Sequence, residues 1–494
     1  MNEIGQVLLC APNEITVAIE SLKTFEKHKS DLQVGRYLQI AQGNNDYTVA
    51  VIRNVRGNTS TNEVGATEWQ FVVSCQAVGN LSAANAFERG AVLLPVPTEP
   101  VYVPDQETLD TLFAESAEYD FPFGSLSVNK GVTLKISGDR FFSKHIAVVG
   151  STGSGKSCAV ARILHDVVGI SRKKNSNVGK QRNAHIVIFD VHDEYTAAFT
   201  LDKTESFTLN PLDIDSLHLP YWLMNSEELE SIFIESNEQN SHNQVSQFKH
   251  AVILNKEKHN PGLDVTYDSP VFFSLCEVYN YIENLNREVI GRLDGENHPK
   301  LADGKLVTER KNFYFDKIQS FVQQSTAAAT KATNGPYNGE FNRFVSRLET
   351  KLADRRLKFL LEPKKADGTL YQTGDFEEIM QQFLGYLNKA NVTIVDLSGI
   401  PFEVLSITVS LISRLIFDFC FHYSKLRHEA ELTNDIPVMI VCEEAHNYIP
   451  QSDNAAYRSS RKSLERVAKE GRKYGLSLMV VSQRPSVSVR ASAY

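Results

Sequence analysis

The chain contains no run approaching about 18 uninterrupted apolar residues, so no helix that spans a membrane is expected. Its first residues, MNEIGQVLLCAPNE, lack the basic segment and long apolar stretch of a secretory leader. Cysteine is sparse: Cys10, Cys75, Cys158, Cys276, Cys420 and Cys442 are scattered without metal-ligand spacing. They read as buried thiols of a reducing, cytoplasmic protein. Net positive charge is lacking as well, since 51 Lys and Arg against 60 Asp and Glu leave −9. That balance excludes a uniformly basic coat but allows a locally basic ring or cleft. No LSGGQ-like signature is present, which disfavours a transporter-type ATPase. What remains is ordinary globular protein, 42% apolar and 22% charged. At 494 residues it is too long for one core, and about three domains are expected.

Residues 1–105 read as short strands between turns, GQVLLC, EITVAIE, RYLQIAQ, YTVAVIRNV, WQFVVSCQAVG and AVLLPVP, the pattern of a small β-barrel or sandwich. Residues 1–100 carry seven Lys and Arg against ten Asp and Glu, a poor surface for tracking phosphates, so docking or assembly is the favoured role. Residues 106–202 change texture: HIAVVG feeds a Gly-rich turn, KSCAVARILHDVV has helical spacing, and HIVIFD is a second buried strand. Such alternation predicts a parallel α/β sheet. Residues 203–390 interrupt it with helical patterns in SEELESIFIE, FFSLCEVYNYIENLNREVI, NFYFDKIQSFVQQ, FNRFVSRLETKLADRRLKFLLE and FEEIMQQFLGYLNKA, read as an inserted helical bundle. Over 391–494 the α/β pattern resumes with NVTIVDLSGI, a helix around VLSITVSLISRLIFDFCFHY, the strand VMIVC, a basic helix and the strand LSLMVVS.

GSTGSGKS, Gly150 to Ser157, fits the P-loop pattern G-x-x-x-x-G-K-[ST] between a strand and a helix, the context that motif requires. The nucleotide-binding stretch is Gly150, Ser151, Thr152, Gly153, Ser154, Gly155, Lys156, Ser157 and Cys158. Glycines let backbone N–H groups turn inward around the β-phosphate of ATP, and the helix N-terminus adds partial positive charge. Lys156 reaches the β- and γ-phosphates, and the Ser157 hydroxyl can ligate Mg²⁺.

In PVMIVCEEAHNYIP an apolar strand ends on Glu443 and Glu444. Two adjacent carboxylates there need a positive partner, which Mg²⁺ would supply. Glu443 is read as the Walker B carboxylate that holds the metal, and Glu444 as the group that polarises an attacking water. An acidic turn at a strand end is the bland alternative. VVSQRPS places Gln483 after another apolar run, where its amide could sense the γ-phosphate, or simply begin a polar turn. In FDVHDEY, Asp190, His192, Asp193 and Glu194 follow the second strand. Zinc suits that spacing poorly; a loop near the nucleotide or a neighbouring subunit, or a solvated turn, are the readings. From Arg458 to Lys473 seven Lys and Arg accompany two Glu. Arg458, Lys462, Arg466, Lys469 and Lys473 fall along one helical face. That face would meet DNA phosphates, a neighbour's ATP, or only solvent.

KHIAVVGSTGSGKS, IVIFDVHDEY, LPYWLM, VMIVCEEAHNYIP and KEGRKYGLSLMVVSQRPS together resemble the HerA family of hexameric DNA-translocating ATPases, relatives of FtsK, and the likeness covers essentially the whole chain. The resemblance implies a RecA-like P-loop ATPase domain with an N-terminal small β-barrel and the helical insertion. It implies six subunits in a ring, ATP and Mg²⁺ at subunit interfaces, and double-stranded DNA in a central pore. A partner is also implied, either a nuclease or a sirtuin-like NAD-consuming effector, in DNA-end processing or antiphage defence. Lys156, Ser157, Glu443, Glu444 and Gln483 carry over as ATPase residues, with Arg472 as a candidate trans-acting arginine. The alternative function is a nucleotide-gated ring scaffold that switches its partner with little translocation. Two departures stand out. The family's HGEY is HDEY here, with Asp193 in place of glycine, and the family continues with more strand and helix after SQRPS, where this chain ends at SVSVRASAY.

Overall fold

The computed structural model describes residues 3–43, 45–61, 67–90, 93–113, 120–127, 131–168, 183–200, 207–235, 241–293, 295–327, 330–432, 436–450 and 457–484. The tail after Arg484, where the family continues with further strand and helix, lies outside them. The chain divides between Phe141 and Phe142 into two compact units. The first therefore runs past the boundary expected near residue 105.

In the first unit, Glu14–Ile19, Glu3–Ala11, Pro100–Tyr102, Tyr37–Ala41, Tyr47–Thr61 and Thr67–Leu81 hydrogen-bond in that order. Pairing of Ile15 with Cys75 through Ile19 with Phe71 joins the first of these to the last and closes a barrel. Alternate residues (Val17, Ile19, Leu38, Ile40, Ile52, Val73) fill its interior, which is why the sequence reads with a period of two. Of the expected strand AVLLPVP, the described residues 93–97 form no strand. Pro95 and Pro97 have no N–H to give a ladder.

The second unit is built on a parallel sheet whose strands, in chain order, are β1 Ile146–Val149, β2 His185–Asp190, β3 Thr208–Leu212, β4 Asn391–Asp396, β5 Val438–Cys442 and β6 Leu476–Ser482. Their spatial order is β1-β6-β5-β2-β4-β3. Both faces are covered. Val187, Phe189, Val438, Ile440, Leu476 and Leu478 enter one core, while Ile186, Ile188, Met439, Val441, Met479 and Val481 enter the other. A strand buried on both faces reads as an apolar run, as β2, β4, β5 and β6 do.

Residues 207–390 are more than helices. They supply the edge strand β3 and a small antiparallel sheet of Val289–Leu293, Glu296–Pro299 and Thr333–Asn334. NFYFDKIQSFVQQ is helical only over Arg310–Asp316, and a helix absent from the sequence reading runs Ser241–His259. Side chains from this segment share one core with the sheet, as Leu229, Phe248, Ile282 and Phe344 do with Phe189 and Ile440. The helix Ser226–Phe233 starts on a full capping box, Asn225 with Glu228. The helix Phe402–Glu429 is long and apolar enough to cross a membrane, with mean hydropathy 1.8 over its 18-residue apolar window, but 78% of that window is buried inside the protein. It lies in the core, and its polar Ser406, Thr408, Ser410 and Ser413 are buried with it.

Candidate nucleotide-binding and hydrolysis site

In a parallel sheet all strands deliver their C-terminal ends to one edge, and loops there make the site. Val149 pairs with Ser482, Cys442 with Val480, and Phe189 with Cys442, so the P-loop, Gln483, the two glutamates and the HDEY corner converge on that edge. The Gly150 N–H donates to the Ser482 carbonyl at 3.4 Å, holding the start of the P-loop against the Gln483 strand.

Gly153 and Gly155 have φ of +76° and +86°, a conformation that glycine takes without the penalty a Cβ brings. The helix Lys156–Val168 begins directly after them, with Cys158 exposed on its first turn. Lys156 is buried, and its Nζ lies 3.4 Å from the Ser151 carbonyl and 4.0 Å from Glu444 Oε1. The Ser157 hydroxyl donates to Glu443 Oε1 at 3.4 Å. One hydroxyl and one carboxylate oxygen side by side form a hard-oxygen donor pair, which fits Mg²⁺, a cation that keeps few protein ligands.

Glu443 is 1% exposed, and its other oxygen accepts from the Tyr195 hydroxyl at 2.8 Å. Burial raises its pKa, the Tyr195 bond opposes that rise, and the Glu444 charge adds to it. Such a carboxylate stands ready for a cation. Glu444 is 5% exposed with φ +43°, a left-handed conformation that a non-glycine side chain adopts at a cost. Gln483 Nε2 donates to Glu444 Oε1 at 2.6 Å, while the Thr152 hydroxyl donates to Gln483 Oε1 at 2.9 Å. The amide thus joins the P-loop to the second glutamate. His446 Nδ1 comes within 3.1 Å of Glu444 Oε2 without hydrogen-bond geometry, and that buried oxygen has no hydrogen-bond partner among the described residues. Burial lowers the His446 pKa, against the opposing pull of Glu444.

At the HDEY corner, Asp190 accepts from the His192 N–H at 3.2 Å and from the Tyr195 N–H at 2.9 Å. Asp193 has φ +53°. Glycine suits that position, and aspartate is among the side chains that tolerate it best. Among the described residues no group of three or more His, Cys, Asp or Glu is placed to hold a metal.

Arg472 stands apart. It lies in the turn Gly471–Tyr474 ahead of β6, and its Nε donates to the Ser143 carbonyl at 3.2 Å ahead of β1. Within its own chain it is at the opposite end of the sheet from Gln483, about 20 Å away at the rise of an extended strand. The basic segment forms the helix Arg458–Glu470 followed by that turn. Several of its cations meet acids of the same chain. Lys462 pairs with Glu227, Arg466 lies 3.4 Å from Asp418 and 4.1 Å from the Phe417 ring centre, and Lys469 lies 3.3 Å from Glu465.

A strand-end glycine loop with a buried lysine, paired glutamates and an amide on the neighbouring strand defines a P-loop ATPase. The model of the HerA helicase central domain matches residues 121–416, and the chain belongs to that family. A probable helicase of Methanocaldococcus jannaschii is 21% identical over 474 residues, 92% of this chain and 73% of that one. The DNA double-strand break repair helicase HerA of Sulfolobus acidocaldarius is 24% identical over 408 residues, so the chain spans only 60% of that protein while 80% of its own length aligns. The solved structure of VirB4 of Thermoanaerobacter pseudethanolicus overlays with a TM-score of 0.38 at 12% identity, over 75% of this chain and 78% of that one.

Proposed function

We propose that this chain is an ATP-driven DNA translocase or helicase motor. The observation that carries the reading is the convergence of Lys156, Ser157, Glu443, Glu444 and Gln483 on one sheet edge. Membership of the HerA family supports it, as do relatives named as DNA repair helicases. Lys156 places its cation between the β- and γ-phosphates, with the N–H groups of residues 150–158 around them. Ser157 and Glu443 hold Mg²⁺, which neutralises phosphate charge when bound. Glu444 accepts the proton of the attacking water through Oε2, which has no hydrogen-bond partner among the described residues. Gln483, bonded to both Thr152 and Glu444, registers the γ-phosphate and hands its presence on to the base.

At the level of the assembly, the reading is a homo-hexamer that encircles double-stranded DNA, with Arg472 reaching a neighbour's nucleotide from the far end of the sheet. Its partner is a nuclease or a sirtuin-like NAD-consuming effector, in DNA-end processing or antiphage defence. ATP hydrolysis by the full chain, measured with and without duplex DNA, tests the motor. Stimulation by DNA is expected, and turnover indifferent to DNA would favour the nucleotide-gated scaffold.

A further inference from the structure

The hydroxyl of Tyr195 is placed where neither the P-loop nor the paired glutamates require a tyrosine. Its side chain is 1% exposed, and its ring packs in the core beneath the P-loop helix with Phe199 and Ile188. The hydroxyl nevertheless points at Glu443 and donates to Oε2 at 2.8 Å, while Oε1 of the same carboxylate faces Ser157 at 3.4 Å. The two oxygens are thus assigned different tasks. A free carboxylate turns about its terminal torsion through a broad, two-fold well. With Oε2 tied down, that rotation is stopped and Oε1 alone is presented to the P-loop side.

The corner before Tyr195 is constructed to deliver it. Both oxygens of buried Asp190 are occupied by backbone N–H groups, His192 on one and Tyr195 on the other. Asp193 takes the left-handed conformation that lets the chain reverse between them. The turn thus fixes the backbone of Tyr195, and the core fixes its ring.

We propose that Tyr195 is a positioning residue for the metal-binding carboxylate: it locks Glu443 with Oε1 forward and so sets the affinity of the site for Mg²⁺. The inference rests on the P-loop reading above, and it concerns the metal, not the nucleotide itself. Hydrogen-bond partners behind a metal ligand are worth 10- to 100-fold in metal affinity. Tyr195→Phe keeps the ring and removes only the donor.

The test is equilibrium binding of a fluorescent, non-hydrolysable ATP analogue to the full chain, titrated with Mg²⁺ and repeated without metal. For Tyr195→Phe the Mg²⁺ midpoint should rise about tenfold, while the metal-free affinity for the analogue stays within twofold of wild type. An unchanged midpoint in a folded Tyr195→Phe overturns the proposal. A lower melting temperature with an unchanged midpoint also overturns it, because the hydroxyl would then be only structural. Should Tyr195→Phe fail to fold, Asp190→Asn leaves the tyrosine in the core and loosens the turn that delivers it. It should raise the midpoint severalfold, and no rise there overturns the proposal equally. Lys156→Ala separates the two layers: if it binds the analogue as wild type does, the P-loop reading fails, whatever Tyr195 does.

Discussion

Lys156 is the first residue to change. It is buried and sits 4.0 Å from Glu444, with no other cation of the loop able to replace it between two phosphates. Lys156→Ala should abolish measurable ATP binding in a fluorescence titration. The two glutamates should then separate by phenotype. Glu444→Gln keeps the shape and the bond to Gln483 but cannot accept a proton, so it should bind Mg²⁺·ATP and hydrolyse it about 10²–10⁴-fold more slowly. Glu443→Gln should instead raise the Mg²⁺ requirement for binding, read from metal titrations of both variants. Slow, ATP-trapped behaviour in Glu443→Gln would mean the two roles are reversed. Lys156 is legible in sequence through the glycine-rich pattern around it, and the two glutamates because they end an apolar run, where charge is conspicuous. Tyr195 is not. An aromatic residue among apolar neighbours looks like core, and only its distance from Glu443, 248 positions away in sequence, reveals a second task.

At the scale of elements, strands buried on both faces were readable as apolar runs, and β2, β4, β5 and β6 lie where those runs are. The edge strand β3, Thr208–Leu212, was not readable, since TLNPL carries a proline and two polar side chains, Thr208 and Asn210, within five residues. Nor was the helix Ser241–His259, whose face against the core is built from Gln244, Phe248, Ala251, Val252, Asn255 and Lys256, polar as often as apolar. That helix carries its own prediction. Lys256 is fully buried and donates to the Tyr267 and Ser269 carbonyls at 2.6 and 2.7 Å. Burial lowers its pKa from 10.5 to about 8. Between those values the unfolded chain holds a proton that the folded one has released, so stability rises with pH across the window and falls as pH drops toward 8. The span is worth about 3 kcal/mol at roughly 1.4 kcal/mol per unit. Thermal melts at pH 7.5 and 10 should show this gain in wild type relative to Lys256→Met, and an equal pH dependence in the two would refute it.

For the whole molecule, the question is what the basic helix meets. Glu227 and Asp418 already balance Lys462 and Arg466, so a DNA backbone would have to exchange with them. Exposed pairs of this kind are worth at most about 1 kcal/mol, and such an exchange is inexpensive. If phosphates do replace the acids, the double variant Lys462→Gln with Arg466→Gln should lower the log–log salt slope of DNA binding by about two. Basal hydrolysis should persist. An unchanged slope would leave this helix as an internal brace between Glu227 and the long core helix. If hydrolysis at the Glu444 site drives work on DNA, the steady-state ATPase rate of the full chain with saturating duplex DNA reports it. Wild type should be stimulated by DNA, and Glu444→Gln should lose both basal and stimulated turnover while still binding ATP. Stimulated turnover at the wild-type rate in Glu444→Gln would contradict it.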